Sequence, residues 1–153
     1  MKIRQILDPS AVISDLAGPT KLDALRALCG PVAKLNPSIR PERFLETLVE
    51  REKLNSTGLS DGVAVPHGKL PGLASITASF GRSLAGIDFD SLDGKPARLF
   101  FAIFAPEAAG GDHLRVLARV SRILKEEAFR KRILEAPDAA AIHQLICQED
   151  DAF

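Results

Sequence analysis

Leu99-Phe100-Phe101-Ala102-Ile103-Phe104-Ala105 is the stretch on which the fold turns. Every side chain in it is apolar, so neither face of an extended strand is left for water. Seven residues are also too few to cross a bilayer. The run reads as a central strand buried on both faces, which requires an apolar layer above it and another below.

The flanking sequence supplies those layers. Downstream, Gly110-Gly111-Asp112 opens a helix predicted from His113 to about Lys125, with Asp112 as its N-cap. Val116, Leu117, Val120, Ile123 and Leu124 form its apolar stripe, and Arg115, Arg119 and Arg122 face the other way. Shorter helices are expected near Glu126–Leu134 and Asp138–Cys147, before the acidic Glu149-Asp150-Asp151. Upstream, Thr20 caps a helix reaching Leu35, with Asp23 three residues on, and Gly30-Pro31 is expected to kink or divide it. Another helix runs from Pro41 to Lys53 on the stripe Phe44, Leu45, Leu48 and Val49. Val63–Val65 reads as a short strand stopped by Pro66, and Leu73–Phe80 alternates as a second strand. Ile87 and Phe89 belong to a short edge segment ahead of the turn Ser91-Leu92-Asp93-Gly94. No element is assigned before Thr20. Helices around strands in mixed order place the chain in the α/β or α+β class.

Composition narrows the function. The chain has 153 residues, one domain's worth, and its 20 Lys+Arg balance 20 Asp+Glu. A neutral chain with eight Phe and no Trp or Tyr lacks both the basic surplus and the stacking platforms of a nucleic-acid binder. Cys29 and Cys147 lie far apart in apolar stretches and read as buried free thiols. No signal peptide or membrane segment is evident, so a cytoplasmic location is expected. No glycine-rich nucleotide motif occurs, and the three histidines have no metal-ligand spacing. Asp88–Gly94 departs from a calcium loop in both its glycine and its acidic positions.

His67, between Pro66 and Gly68, carries the chemical interest. Gly58, Gly62 and Gly68 permit close approach of backbone to a ligand, and imidazole is nucleophilic near its ordinary pKa of about 6.5. On the residues alone, a histidine in a tight turn and a functional one remain equally open. His113 lies on the buried side of its helix at the N-terminal turn, where free N–H groups favour an anion. Arg51, at the C-terminal end of the Pro41–Lys53 helix, reads alone as a solvated flank residue. Thr57 either offers a hydroxyl to a ligand or shapes its loop. His143, beside Ile142, Leu145 and Ile146, belongs to no motif and is taken as structural.

The segment Arg51-Glu52-Lys53-Leu54-Asn55-Ser56-Thr57-Gly58-Leu59-Ser60-Asp61-Gly62-Val63-Ala64-Val65-Pro66-His67-Gly68-Lys69-Leu70 resembles the phosphorylation-site segment of the enzyme IIA proteins of the bacterial phosphotransferase system (PTS). Their fructose/mannitol-type family is meant, and within it the nitrogen-regulatory branch (EIIA-Ntr). Ile87–Ala97 followed by Leu99–Ile103, and His113-Leu114-Arg115-Val116-Leu117, resemble further motifs of that family. The resemblance implies a three-layer α/β/α sandwich with a mixed β-sheet flanked by helices, formed by one EIIA type-2 domain over residues 1–153. It implies that His67 accepts a phosphoryl group on Nε2, that His113 stabilises it, and that Arg51 neutralises its charge. Thr57, Gly58 and Gly68 are the expected phosphate-binding positions. The donor it implies is an HPr-like phosphocarrier protein, and the target a transporter or sensor protein governed by phosphorylation state. The alternatives are a sugar-permease IIA component passing phosphate to a IIB protein, and a non-catalytic binding module. No metal or organic cofactor is expected.

Overall fold

In the computed structural model, which describes residues 1–152, the Leu99–Ala105 run is hydrogen-bonded to neighbours along both of its edges. Among the described residues the order is β1 (Leu7–Ile13), α1 (Lys21–Leu35), α2 (Pro41–Glu52), β2 (Val63–Ala64), β3 (His67–Lys69), β4 (Thr77–Ile87), β5 (Ala97–Ala105), α3 (Gly110–Lys125), α4 (Glu127–Glu135) and α5 (Ala139–Asp151). β4 pairs antiparallel with β5, and β1 adds parallel to β4. β2 and β3 both lie parallel to β5 on its other edge. The sheet is mixed, with helices on both faces, as expected for an α/β sandwich.

The period of β5 sorts its side chains between two cores. Phe100, Ala102 and Phe104 pack with Leu25, Leu28 and Val32 of α1 and Phe44 and Leu48 of α2. Leu99, Phe101, Ile103 and Ala105 pack with Val116, Val120 and Ile123 of α3, Phe129 of α4, and Ile142 and Ile146 of α5. Edge-on ring contacts tie α2 to the sheet and β4 to β5: Phe44–Phe104 centroids lie 5.2 Å apart and Phe80–Phe101 centroids 5.9 Å apart. Each of these buried rings contributes about 1.5–3 kcal/mol relative to exposure.

Several elements differ from the sequence expectations. β1 was not expected, because Asp8, Pro9 and Ser10 break any alternation; its register is irregular between Leu7 and Val12. Leu73 lies in a turn, its N–H bonded to the Leu70 carbonyl, and the strand runs instead from Thr77 to Ile87, absorbing part of the expected edge segment. Its residues 78–83 are buried on both faces, which erases the alternation used to place it. Pro66 does not end pairing: the strand resumes at His67, and the Pro66 carbonyl accepts from Ile103 N at 2.9 Å. Proline lacks a donor but keeps its acceptor. Gly30-Pro31 does not divide α1, while Thr20 and Asp23 form the expected capping box. α3 begins at Gly110, so Asp112 is inside its first turn, paired with Arg115 at 2.8 Å, rather than capping it.

α5 extends through the acidic stretch because Asp150 is buried. Its carboxylate bonds Arg119 and accepts from Ile3 N at 2.7 Å, tying the first turn of the chain to the last helix. Arg119 therefore leaves the solvated stripe to which the sequence assigned it. His143 is structural, its Nε2 2.9 Å from the Leu7 carbonyl, and both cysteines are buried free thiols. No helix among the described residues is long and apolar enough to cross a membrane.

Candidate functional site

β3 begins at His67, opposite Ile103 of β5. The backbone keeps its direction through Pro66, and His67 Nδ1 lies 2.7 Å from the carbonyl oxygen of Val65. A carbonyl only accepts, so Nδ1 carries the proton and Nε2 keeps its lone pair. Burial pushes the His67 pKa below its ordinary value, and the Arg51 cation adds to this; the Val65 carbonyl and the Glu52 carboxylate oppose it. The result is a neutral imidazole with a fixed tautomer, which is what a nitrogen nucleophile requires.

His67 opens onto a cleft of about 360 Å³ whose walls include Arg51, Asn55, Thr57, Leu59, Leu92 and Leu117. Arg51, at the last turn of α2, donates from Nη1 to the carbonyl and side-chain oxygens of Asn55, at 3.0 and 2.9 Å. One terminal nitrogen is thus held while the guanidinium faces the same cleft as His67. His113 enters from α3. Its ring centroid is 5.7 Å from that of His67, with the planes inclined by 45°. It is only 7% exposed, and its Nδ1 is buried without a hydrogen-bond partner among the described residues. Burial first, then electrostatic interaction with the His67 ring and the Lys69 cation, lower its pKa. Two neutral imidazoles, one cation and a solvent-open cleft can receive an anionic group, transfer it to nitrogen and hold it.

The remaining candidates are placed differently. Thr57 is 4% exposed, and both its hydroxyl and its N–H donate to the carboxylate of Glu52, the latter at 3.1 Å to Oε1. Its donors are thus spent within the protein rather than offered to a ligand. Gly58 donates its N–H to Ser56 Oγ at 2.9 Å. A Cβ there would lie 2.7 Å from Ser91 Oγ, so this glycine lets two loops close. Gly68 sits opposite Phe104, and a Cβ on it would lie 2.6 Å from Thr47 Cγ2. Its bareness brings α2, and with it Arg51, against β3. Thr57 lines the cleft with its donors turned to Glu52, while Gly58 and Gly68 set how closely the neighbouring loop and α2 approach.

Sequence reasoning passed over Asn55 and Glu52. An acidic side chain in the last turn of a helix opposes the helix dipole, and that mismatch was the available signal for Glu52. Asn55 carries no such signal.

Comparison with known proteins agrees with this arrangement. Residues 5–149 match the family model described as phosphoenolpyruvate-dependent sugar phosphotransferase system, EIIA 2. The chain is 40% identical over 146 residues to a nitrogen regulatory protein of Bradyrhizobium diazoefficiens, covering 95% of each. It is 36% identical to a fructose-specific EIIABC component of Bacillus subtilis, covering 98% of this chain and 24% of that one. The crystal structure of nitrogen regulatory protein IIA-Ntr from Neisseria meningitidis superposes with a TM-score of 0.88 at 31% identity, over 94% of this chain and 98% of that one. With sheet, helices and sequence match all in agreement, the chain belongs to the EIIA 2 family of the phosphotransferase system, and its resemblance to the nitrogen-regulatory branch holds.

Proposed function

We propose that this chain, acting as one EIIA domain, is a phosphocarrier whose phosphorylation state regulates its binding to a transport or signalling protein. The Nε2 lone pair of His67 attacks the phosphorus of a phosphohistidine on an HPr-like donor. The donor's P–N bond breaks, and its electron pair returns to the donor imidazole. His67 keeps its Nδ1 proton, held by Val65, and no metal or organic cofactor takes part. Arg51 draws the charge of the phosphoryl oxygens, as a planar guanidinium suits. His113, protonated on Nε2, donates to them. Positioning and charge stabilisation supply most of the catalysis in such transfers. The observation that carries this reading is the Nδ1–Val65 hydrogen bond, which leaves Nε2 free beside Arg51 and His113. Two buried free thiols accord with a cytoplasmic setting.

Incubation with phosphoenolpyruvate, enzyme I and the HPr-like carrier, read by intact mass, tests it. The expected outcome is an acid-labile gain of one phosphoryl group, absent in His67→Ala. No gain would overturn the carrier role and leave a non-catalytic binding module. Similarity to the fructose-specific component supports a second reading, in which phosphate passes on to a IIB protein. Chase of the label onto such a protein decides between regulatory and sugar-transport roles.

A further inference from the structure

Behind the cleft wall lies a carboxylate that the reaction does not touch. The Glu52 side chain is almost wholly buried at the end of α2, directly after Arg51. It accepts from the N–H and the hydroxyl of Thr57 and is paired with Lys21 Nζ of α1 at 2.9 Å. Lys21 also reaches Asp90 at 3.4 Å and stands 4.7 Å over the Phe89 ring. From Thr57 the connections continue: Ser56 Oγ donates to the Phe89 carbonyl at 2.7 Å, and Leu92 N donates to the Gly58 carbonyl at 3.2 Å. The loop from Asn55 to Gly58 is thereby pinned to α1, to α2 and to the 89–92 segment. Asn55, two residues before Thr57, is the group that holds Arg51.

We propose that Glu52 is a positioning residue of the phosphoryl site: by anchoring Thr57 it sets Asn55, and through Asn55 it aims the Arg51 guanidinium at His67. Lys21 completes the device. A bare buried carboxylate near an incoming phosphoryl group would repel it, and the Lys21 ammonium cancels that charge while keeping the hydrogen bonds to Thr57. Glu52 itself stays out of the reaction.

The proposal rests on His67 being the acceptor, and the test separates the two claims. Single-turnover transfer from the phosphorylated HPr-like carrier is measured for the wild type, Arg51→Ala, Glu52→Ala and the double variant. Glu52→Ala is expected to slow transfer at least tenfold with unchanged half-saturation by donor. The loss caused by Arg51→Ala is expected to shrink to less than threefold once Glu52 is gone, because Arg51 is then no longer aimed. A residue that only stabilised the fold would leave the two losses multiplicative, and that result overturns the proposal. Thr57→Val, which keeps the shape and the N–H but removes the hydroxyl, should reproduce the coupling with a smaller loss and serves if Glu52→Ala does not fold. The heteronuclear NOE of Arg51 Nε–H gives a readout independent of phosphate: ordered in the wild type, and mobile in Glu52→Ala. An unchanged NOE overturns the positioning role, whereas a wild type that takes no phosphoryl group overturns the phosphocarrier reading instead.

Discussion

The Nδ1–H of His67 points at the carbonyl oxygen of Val65, two residues earlier in the chain and 2.7 Å away. One backbone oxygen thus decides which ring nitrogen is available for chemistry. The lowered pKa extends the pH range over which that nitrogen stays unprotonated.

A pH dependence follows from this. His67 and His113 both have folded pKa values below the unfolded value of about 6.5, so the unfolded chain binds more protons in the interval between them. Their contribution to stability is complete above about pH 6.5 and is lost as pH falls through the folded values. Urea midpoints should decline between pH 7.5 and 5.5, and His113→Ala should flatten that decline. In an NMR titration, Arg51→Ala should raise the His67 midpoint, since it removes a cation that holds it down.

His113 should matter for rate more than for stability. Its Nδ1 is buried without a partner, so removing the ring relieves a desolvation cost while opening space. His113→Ala is expected to slow phosphoryl transfer by about 100- to 1000-fold, the range for losing one donor to a group that develops charge in the transition state. Single-turnover kinetics with denaturant unfolding on the same variant checks both halves. An undiminished rate would return His113 to a packing role.

Gly68→Ala should crowd α2 away from β3. A Cβ placed 2.6 Å from Thr47 Cγ2 forces a shift, with an expected cost of about 1–3 kcal/mol. Thr47→Ser removes that methyl group and keeps the hydroxyl bonded to Arg43 O at 2.8 Å. The double variant should recover most of the stability lost, as measured by urea unfolding.

Asp150→Asn should loosen the join between the chain's first turn and α5. The carboxylate is buried against Arg119 and Ile3 N, and charge-assisted hydrogen bonds of this kind are worth about 1.5–3 kcal/mol each. The expected loss is about 2 kcal/mol in urea unfolding, with phosphoryl transfer unaffected, because the join lies on α5 rather than at the cleft.

Leu92 is 81% exposed at the mouth of the His67 cleft. Leu92→Asp costs the fold little there. It should raise the donor concentration needed for half-maximal transfer several-fold without changing the rate at saturation, which a donor titration reads directly.

Local pattern makes much of this protein legible along the chain itself. The wholly apolar Leu99–Ala105 run demanded two covering layers, and α1 through α5 supply them with the stripes that their 3.6-residue period displays. The capping box at Thr20 and the inward aspect of His113 were equally visible, because each depends on neighbours within one turn. The motif around His67 was readable as a string of residues.

Where groups distant in sequence meet, only the folded chain decided the outcome. β1 was hidden behind Asp8-Pro9-Ser10, since its pairing is with β4, some seventy residues on. Arg82 lies in a strand yet is buried, its guanidinium donating to the carbonyls of Ile133 and Ala136 at 2.8 and 2.7 Å and so capping α4. Thr57 and Gly58 read as phosphate-binding positions, but Glu52 and Ser56 claim their donors. Period and turn chemistry act over a few residues and can be read along the chain. Hydrogen-bond donors are allotted in three dimensions, where each buried group takes whichever partner the packing brings near.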